Sequence, residues 1–230
     1  MITEVHIRDP AERAQALSDF VSEKLIAELK HNPKASLALS GGKTPARFFR
    51  SLSEAELPWD RVTIVLVDER WVPENSDRSN ARTIRENLLQ GPAAAARFFP
   101  LYDPQSPCPE RAILGLTERF LATVPQPFCC SVLGLGLDGH TASWFPDGDH
   151  LEDALHPNQQ SIILPMNADS AGEPRITFTL PPIASSRALA LLIEGADKRQ
   201  VYEESKILGC GLPFNAVILS AARRLTVFGD

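Results

Sequence analysis

The stretch LGLGLDGHTASWFP, residues 133–146, decides the fold and marks a candidate site. It ends an apolar run over residues 129–135 that is bounded by a proline and a glycine. Such a short, bounded run predicts a buried strand of a parallel sheet. The closely spaced glycines beyond it would let the backbone turn sharply or approach a ligand. We expect residues 141–143 to begin a helix.

Two titratable side chains, Asp138 and His140, lie just beyond this predicted strand. Ligands of open α/β sheets bind beyond the carboxyl ends of the strands. A histidine placed there could accept and return a proton, and a neighbouring carboxylate could orient its ring. A lone histidine in a glycine loop is more often an ordinary surface residue. Here the glycines, the aspartate and the strand end favour a catalytic role for His140.

Strands and helices alternate along the rest of the chain. Strands are predicted at 3–8, 35–39, 62–67, 161–164, 175–180, 188–193 and 225–228. Helices are predicted after Asp9, after Pro45, after Ser79, over 110–124, after Pro182, after Asp197 as the N-cap, and over 213–219. We expect residues 91–109 and 147–160 to be connecting segments. This order predicts a mostly parallel, three-layer α/β sheet.

Composition limits the classes of function. The 230 residues fit one large domain, residues 1–230, and 43% of them are apolar, which is enough for a substantial core. The formal net charge of -6 argues against a nucleic-acid partner. An acidic protein can still hold a small anion in a locally basic pocket.

Cysteines and apolar runs bear on the compartment. The four cysteines form no C-x-x-C pair, so we expect them to be reduced, which suits a cytoplasmic protein. The N-terminus shows no apolar signal-peptide region. No apolar run approaches the roughly 18 residues that a membrane span needs, so no membrane partner is expected.

The sequence SGGKTP at 40–45 joins a predicted strand to a predicted helix. Backbone N–H groups of such a turn and of the following helix N-terminus point towards one place and can hold an anion. An ordinary tight turn is the alternative. The hydroxyl groups and the lysine would add hydrogen bonds and charge, so the candidate binding residues are Ser40, Gly41, Gly42, Lys43 and Thr44.

Charged residues also follow the strand predicted at 62–67. Asp68 and Arg70 come directly after it, which places them at the same ligand-facing edge of the sheet. A solvated cluster of charges is the common alternative. Lys198 lies in the first turn of a predicted helix, where a cation opposes the helix dipole. A bound anion would offset this unfavourable interaction with the helix dipole, although an ordinary exposed lysine is about equally expected. We therefore expect a site where the loops after Leu39, Val67 and Leu135 converge.

Together these motifs resemble the 6-phosphogluconolactonase family of the pentose phosphate pathway, and the resemblance covers most of the chain. Its blocks are SGGKTP at 40–45, VDERWVP at 67–73 followed by Ser79 and Asn80, LGLGLDGHTASWFP at 133–146, RITFTLPPI at 175–183 and EGADK at 194–198. The family belongs to a wider group of modified Rossmann-like sugar-phosphate enzymes, which includes glucosamine-6-phosphate deaminases. Two departures concern the expected pocket shape: Trp144 where leucine is commoner, and Ser185-Ser186 in place of an asparagine-containing stretch.

The resemblance implies hydrolysis of 6-phospho-D-glucono-1,5-lactone to 6-phosphogluconate. His140 would then act as the general base, with Asp138 or Asp68 orienting it, and backbone N–H groups of residues 136–139 would stabilise the oxyanion. The phosphate would lie among Ser40, Gly41, Gly42, Thr44 and Lys198, together with Arg70 or Arg175. The sequence shows no metal-ligand cluster, and we expect no metal, no cofactor and a monomer or weak dimer.

Two other functions remain open at this stage. A sugar-phosphate isomerase or deaminase of the same fold group could use Asp68 as a base at carbon. However, the deaminase motif continues with an Asn-Glu pair where this chain has Trp144 and Phe145. A non-catalytic sugar-phosphate sensor would lack the acid–base residues and usually carries a DNA-binding segment. This chain retains Asp68, Asp138 and His140.

Overall fold

The computed structural model describes residues 1–42 and 44–230. The strands within these residues are β1 (Thr3–His6), β2 (Ala35–Leu39), β3 (Val62–Leu66), β4 (Asp68–Arg70), β5 (Arg97–Phe99), β6 (Cys130–Leu133), β7 (Ile163–Met166), β8 (Arg175–Phe178), β9 (Ala188–Leu192) and β10 (Leu225–Gly229). The α-helices are α1 (Pro10–Leu29), α2 (Ala46–Ser53), α3 (Asn80–Asn87), α4 (Pro109–Thr123), α5 (Leu151–Leu155), α6 (Leu180–Ala184), α7 (Ala196–Ser205) and α8 (Phe214–Ala221).

A seven-stranded sheet runs through the described part of the chain in the order β1-β10-β9-β6-β2-β3-β5. Every pairing in it is parallel. Strands β2, β3, β6 and β9 are buried along their whole length, which is why they read as apolar runs without alternation. The mostly parallel α/β sheet flanked by helices is confirmed.

Helix α1 shows how the sequence places a helix against this sheet. The Asp9 carboxylate accepts hydrogen bonds from the N–H groups of Ala11 and Glu12 at 2.8 and 2.9 Å, as predicted for its N-cap. Pro10 follows at the first helical position, where its missing N–H costs nothing. The face that turns inward carries Leu17, Val21 and Leu25, all fully buried. Burial of this stripe holds the helix on the core.

A second, smaller sheet was not predicted. Strands β4, β8 and β7 form it, with antiparallel pairing throughout. Val67 joins the two sheets, because its N–H donates to Leu39 O and its carbonyl accepts from Phe178 N–H, both at 2.9 Å. Residues 68–70, interpreted above as charges at the end of a strand, are themselves a strand paired with β8. The small sheet therefore starts directly at the ligand-facing edge of the large one.

Several other local predictions were wrong. No helix begins at 141–143, because Ala142 takes a positive φ of 50°. Segment 147–160 contains α5, and segment 91–109 contains the edge strand β5. The N-cap of α7 is Gly195, and Asp197 lies in its first turn instead. Because β5 and α5 are three and five residues long, their sequences carry little periodicity.

Two of the residues that depart from the family pattern, Trp144 and Ser186, lie in the interior, whereas Ser185 is exposed and its hydroxyl donates to Pro182 O at 2.9 Å. Trp144 is fully buried, and its indole N–H donates to Phe178 O at 2.8 Å. The Ser186 hydroxyl is buried 2.7 Å from that of Ser131. Trp144 and Ser186 therefore fill the core and form hydrogen bonds within it. Within the described residues, no helix has both the length and the apolar character that crossing a membrane requires.

Candidate active site

A cavity of about 370 Å3 opens where the loops beyond the parallel strands meet the small sheet. Two sets of residues line it. The parallel wall follows strands of the large sheet and carries Ser40, Gly41, Gly42, Thr44, His140 and Lys198. The antiparallel wall comes from β4, β8, the start of α3 and the segment before it, and it carries Asp68, Arg70, Arg78, Asn80 and Arg175. Most of the predicted site residues thus share one cavity, and Lys43 lies outside the described residues.

His140 is held by the side chain of Asp138. Asp138 Oδ1 lies 2.5 Å from His140 Nδ1 and also accepts the His140 backbone N–H at 3.2 Å. A carboxylate only accepts hydrogen bonds, so the neutral imidazole carries its proton on Nδ1. That tautomer leaves a lone pair on Nε2, which is what a general base needs. Asp138 does not line the cavity itself, and it contacts the imidazole through Nδ1.

Glycines allow this close arrangement. A Cβ on Gly136 would lie 2.2 Å from His140 Nδ1, so any side chain there would displace the imidazole. The N–H of Gly136 donates to His140 O at 2.8 Å, and that of Gly139 donates to Gly136 O at 3.1 Å. These two N–H groups already have acceptors inside the loop. For these two glycines, the predicted stabilisation of an oxyanion would require that these hydrogen bonds be shared or broken.

Asp68, the other carboxylate considered for orienting His140, contacts a different residue. It is 6% exposed, and its Oδ2 accepts the hydroxyl proton of Ser143 at 2.6 Å. The structure therefore brings Asp138, and not Asp68, to the imidazole. Among the described residues, no group of three His, Cys, Asp or Glu side chains is placed to hold a metal ion.

The fully buried Glu69 organises the antiparallel wall, and sequence reasoning missed it. Its carboxylate accepts the N–H groups of Asn80, Ala81 and Arg70 at 2.8, 2.7 and 2.8 Å. Burial raises the pKa of the Glu69 carboxyl, although these hydrogen bonds oppose that effect. A carboxylate at the N-terminus of α3 also suits the helix dipole. Glu69 thereby ties β4 to the first turn of α3.

Phe145 packs between the two walls. Its ring centroid lies 4.6 Å from that of His140 and 5.3 Å from the guanidinium carbon of Arg175. Arg175 is 5% exposed and donates to Ala171 O at 2.9 Å, and burial lowers the pKa of its guanidinium. Arg78, which sequence reasoning did not single out, forms an ion pair with Glu173 at 2.6 Å.

Buried polar atoms without a partner concentrate at this cavity. Within the described residues these side-chain atoms are Arg70 Nε, Asn80 Oδ1, Thr141 Oγ1 and Arg175 Nε, and all four residues line the cavity. Buried polar groups in folded proteins are otherwise nearly always hydrogen-bonded. Their position indicates a polar ligand that completes the hydrogen bonding.

Positive charge dominates the described part of the lining. It includes four cationic side chains, Arg70, Arg78, Arg175 and Lys198, and a single carboxylate, that of Asp68. Lys198 is partly buried, and this burial lowers the pKa of its ammonium group. Among the described residues, no side chain caps the N-terminus of α2. The cavity therefore suits an anionic ligand in an otherwise acidic protein.

Comparison with known proteins agrees with this architecture. Residues 8–222 match the profile of the family described as glucosamine-6-phosphate isomerases/6-phosphogluconolactonase. The chain is 43% identical to a 6-phosphogluconolactonase of Rhizobium meliloti strain 1021 over 99% of each chain. It is 44% identical to one of Mesorhizobium japonicum over 96% of this chain and 92% of that one. A 6-phosphogluconolactonase structure from Shewanella baltica OS155 superposes with a TM-score of 0.92 at 34% identity, covering 100% of this chain and 97% of that one. The chain belongs to the family of glucosamine-6-phosphate isomerases and 6-phosphogluconolactonases.

Proposed function

We propose that the protein hydrolyses 6-phospho-D-glucono-1,5-lactone to 6-phospho-D-gluconate, the second step of the oxidative pentose phosphate pathway. One observation carries the proposal: among the described residues, a histidine whose Nε2 has no hydrogen-bond partner shares a cavity with two arginines whose buried Nε atoms have no acceptor. The first can activate water, and the second can bind a phosphorylated sugar. The 6-phosphogluconolactonases among the relatives support the choice of substrate.

Hydrolysis of the lactone needs a general base more than it needs a group that activates the carbonyl. A lactone carbonyl is already electrophilic, so attack by an activated water suffices without a metal ion. In this mechanism His140 Nε2 removes a proton from water as the oxygen attacks C1. The ring then donates this proton to the departing ring oxygen, and Asp138 keeps the imidazole in place.

The phosphate is proposed to bind at the cationic side of the cavity. The uncapped N-terminus of α2 offers N–H groups, and Lys198 offers a point charge. Arg70 and Arg175 each have an Nε without a partner in the part of the chain that the structure describes, which suits a charge-assisted hydrogen bond to a phosphate oxygen. The turn residues Ser40, Gly41, Gly42, Lys43 and Thr44 remain candidates for the same group.

The test follows freshly prepared 6-phosphogluconolactone by NMR with and without enzyme near neutral pH. The control without enzyme is essential because the lactone opens spontaneously. We expect loss of the 1,5-lactone well above this background, unchanged after treatment with a chelator. Loss at the background rate would contradict the lactonase, and loss abolished by the chelator would contradict the metal-independent mechanism.

The same preparation should be assayed for release of ammonia from glucosamine 6-phosphate, because the family also contains isomerases. Proton transfer at carbon would need a free carboxylate, and Asp68 is the one carboxylate among the described lining residues. Its Oδ2 is held by Ser143, and Phe145, which packs on His140, brings an aromatic ring and no second carboxylate. We therefore expect no ammonia above background.

A further inference from the structure

Asn80 is held rigidly at the edge of the cavity. It is the first residue of α3, is 2% exposed and lines the cavity. Its backbone N–H donates to Glu69 at 2.8 Å, and its side-chain Nδ2 donates to the carbonyl oxygen of Asp68 at 3.0 Å. These two bonds fix both the backbone and the amide group. Asn80 is therefore positioned before any ligand arrives.

The chemistry of these bonds decides which end of the amide faces which neighbour. A carbonyl oxygen can only accept, so the end that faces Asp68 O must be the NH2 group. Oδ1 consequently points elsewhere, and it finds no donor among the described residues. It lies beside the turn at 40–45, because a Cβ on Gly41 would come within 2.1 Å of it. The absence of a side chain at Gly41 leaves room for this oxygen.

An amide oxygen without a partner favours ligand groups that can donate a hydrogen bond. It needs a hydrogen-bond donor, and a phosphate dianion offers only acceptors. A sugar hydroxyl is a donor of suitable size. We propose that Asn80 is a specificity-determining residue, whose Oδ1 accepts a hydrogen bond from one of the free ring hydroxyls of the lactone. This inference rests on the proposed function and adds a recognition element for the sugar.

The experiment pairs changes in the enzyme with changes in the substrate. The substrates are 6-phosphogluconolactone and its 2-deoxy, 3-deoxy and 4-deoxy analogues, each prepared fresh. The enzymes are the wild type, Asn80→Ala and Asn87→Ala. Asn87 is a matched control because it lies on the same helix, but its Nδ2 donates to Thr83 O and its Oδ1 accepts from Arg50.

We expect one deoxy analogue to lower kcat/KM of the wild type and of Asn87→Ala by about 10-fold or more, because a buried acceptor is then left unpaired. With Asn80→Ala, kcat/KM for the same analogue should be little lower than kcat/KM for the parent lactone. The other two analogues should lose activity equally with all three enzymes. Such non-additivity for a single hydroxyl is the signature of a direct contact.

Additive losses for all three analogues would overturn the proposal and leave Asn80 with a structural role only. Lack of activity of the wild type on the parent lactone would instead contradict the proposed function. If Asn80→Ala does not fold, Gly41→Ala provides the second variant, since its methyl group would displace Oδ1. It should lose discrimination of the same hydroxyl, and undiminished discrimination by Gly41→Ala would overturn the proposal.

Discussion

The two walls of the cavity differ in burial and in what their side chains already contact. On the parallel wall, His140 is about one-third exposed and has its partner, Asp138, in place. On the antiparallel wall, Asn80 and Arg175 are nearly inaccessible and carry polar atoms without partners among the described residues. A base that exchanges protons with water benefits from access to solvent. Groups that bind a ligand gain more from being fixed and dry.

The largest expected effect falls on the parallel wall. Replacing His140 by alanine removes the proposed base, so we expect kcat to fall by about 10²–10⁴-fold with little change in KM. His150→Ala is the matched control, since the side chain of His150 is also partly exposed but does not line the cavity. The comparison uses initial rates corrected for spontaneous opening. Near wild-type turnover of His140→Ala would remove this residue from the proposed role.

A binding effect is expected from the antiparallel wall. Arg175→Met should raise KM for the phosphorylated lactone by about 10–100-fold, because a charge-assisted hydrogen bond contributes roughly 1.5–3 kcal/mol. The expected change in kcat is smaller. Arg187→Met serves as the control, because Arg187 pairs with Glu28 away from the cavity. A fall in kcat at constant KM would move Arg175 from binding to catalysis and break the division between the walls.

The parallel wall could be predicted from the sequence because its signals are local. An apolar run followed directly by glycines and polar residues identifies a strand and the loop beyond it. For this reason SGGKTP and LDGH were assigned to the correct edge of the sheet. The spacing of Asp138 and His140 also made their contact foreseeable. The sequence alone did not decide between Asp138 and Asp68, because that choice depends on Ser143.

On the antiparallel wall, the sequence identified Asp68, Arg70 and Arg175 as candidates but not the strand pairing that brings them together, because its contacts join distant segments. Strand β4 is three residues long and fully charged, so it shows no alternation, and its register depends on pairing Arg70 with Arg175. Glu69 and Asn80 are 11 residues apart, and no pattern relates them. The sequence placed Asn80 only at the start of a predicted helix and in a block shared with the family. Only the folded structure shows that the side-chain amide of Asn80 lines the cavity.

The two aspartates sharpen the comparison. Asp138→Asn should lower kcat by about 10-fold, because an amide orients the imidazole less well, and the partly exposed pair limits the loss. Asp68→Asn should lower kcat less, because Asp68 contacts Ser143 and not the imidazole. Both variants are isosteric, so the two kcat values can be compared directly. The reverse order would make Asp68 the catalytic carboxylate.

Lys198 provides a test through pH. Burial lowers its pKa below the ordinary lysine value of 10.5, so it loses its charge at a lower pH than a free lysine does. We expect the affinity for 6-phosphogluconate, measured by calorimetry, to fall as the pH rises from neutrality towards 10.5, because the ammonium group then loses its proton. Lys198→Arg keeps its charge over this range, so its affinity should change less. Equal losses for both proteins would exclude Lys198 from phosphate binding.

The smallest effect concerns the place where the two walls join. Ala142 has a φ of 50°, in the left-handed region that costs a residue with a Cβ about 1–2 kcal/mol. It persists there because the next two residues are fixed by the Ser143 bond to Asp68 and the Trp144 bond to Phe178. Glycine would relieve this strain, although it also removes a buried methyl group and increases the entropy of the unfolded chain.

Ala112→Gly is the matched control for Ala142→Gly, because Ala112 is buried in the interior of α4, where glycine brings the same losses without relieving strain. We therefore expect Ala142→Gly to destabilise the protein by about 1 kcal/mol less than Ala112→Gly, as measured by urea unfolding. Equal destabilisation would mean that the backbone at Ala142 is unstrained. A smaller cost at Ala142 would show that the contacts between the walls, and not local preference, hold the backbone beside His140.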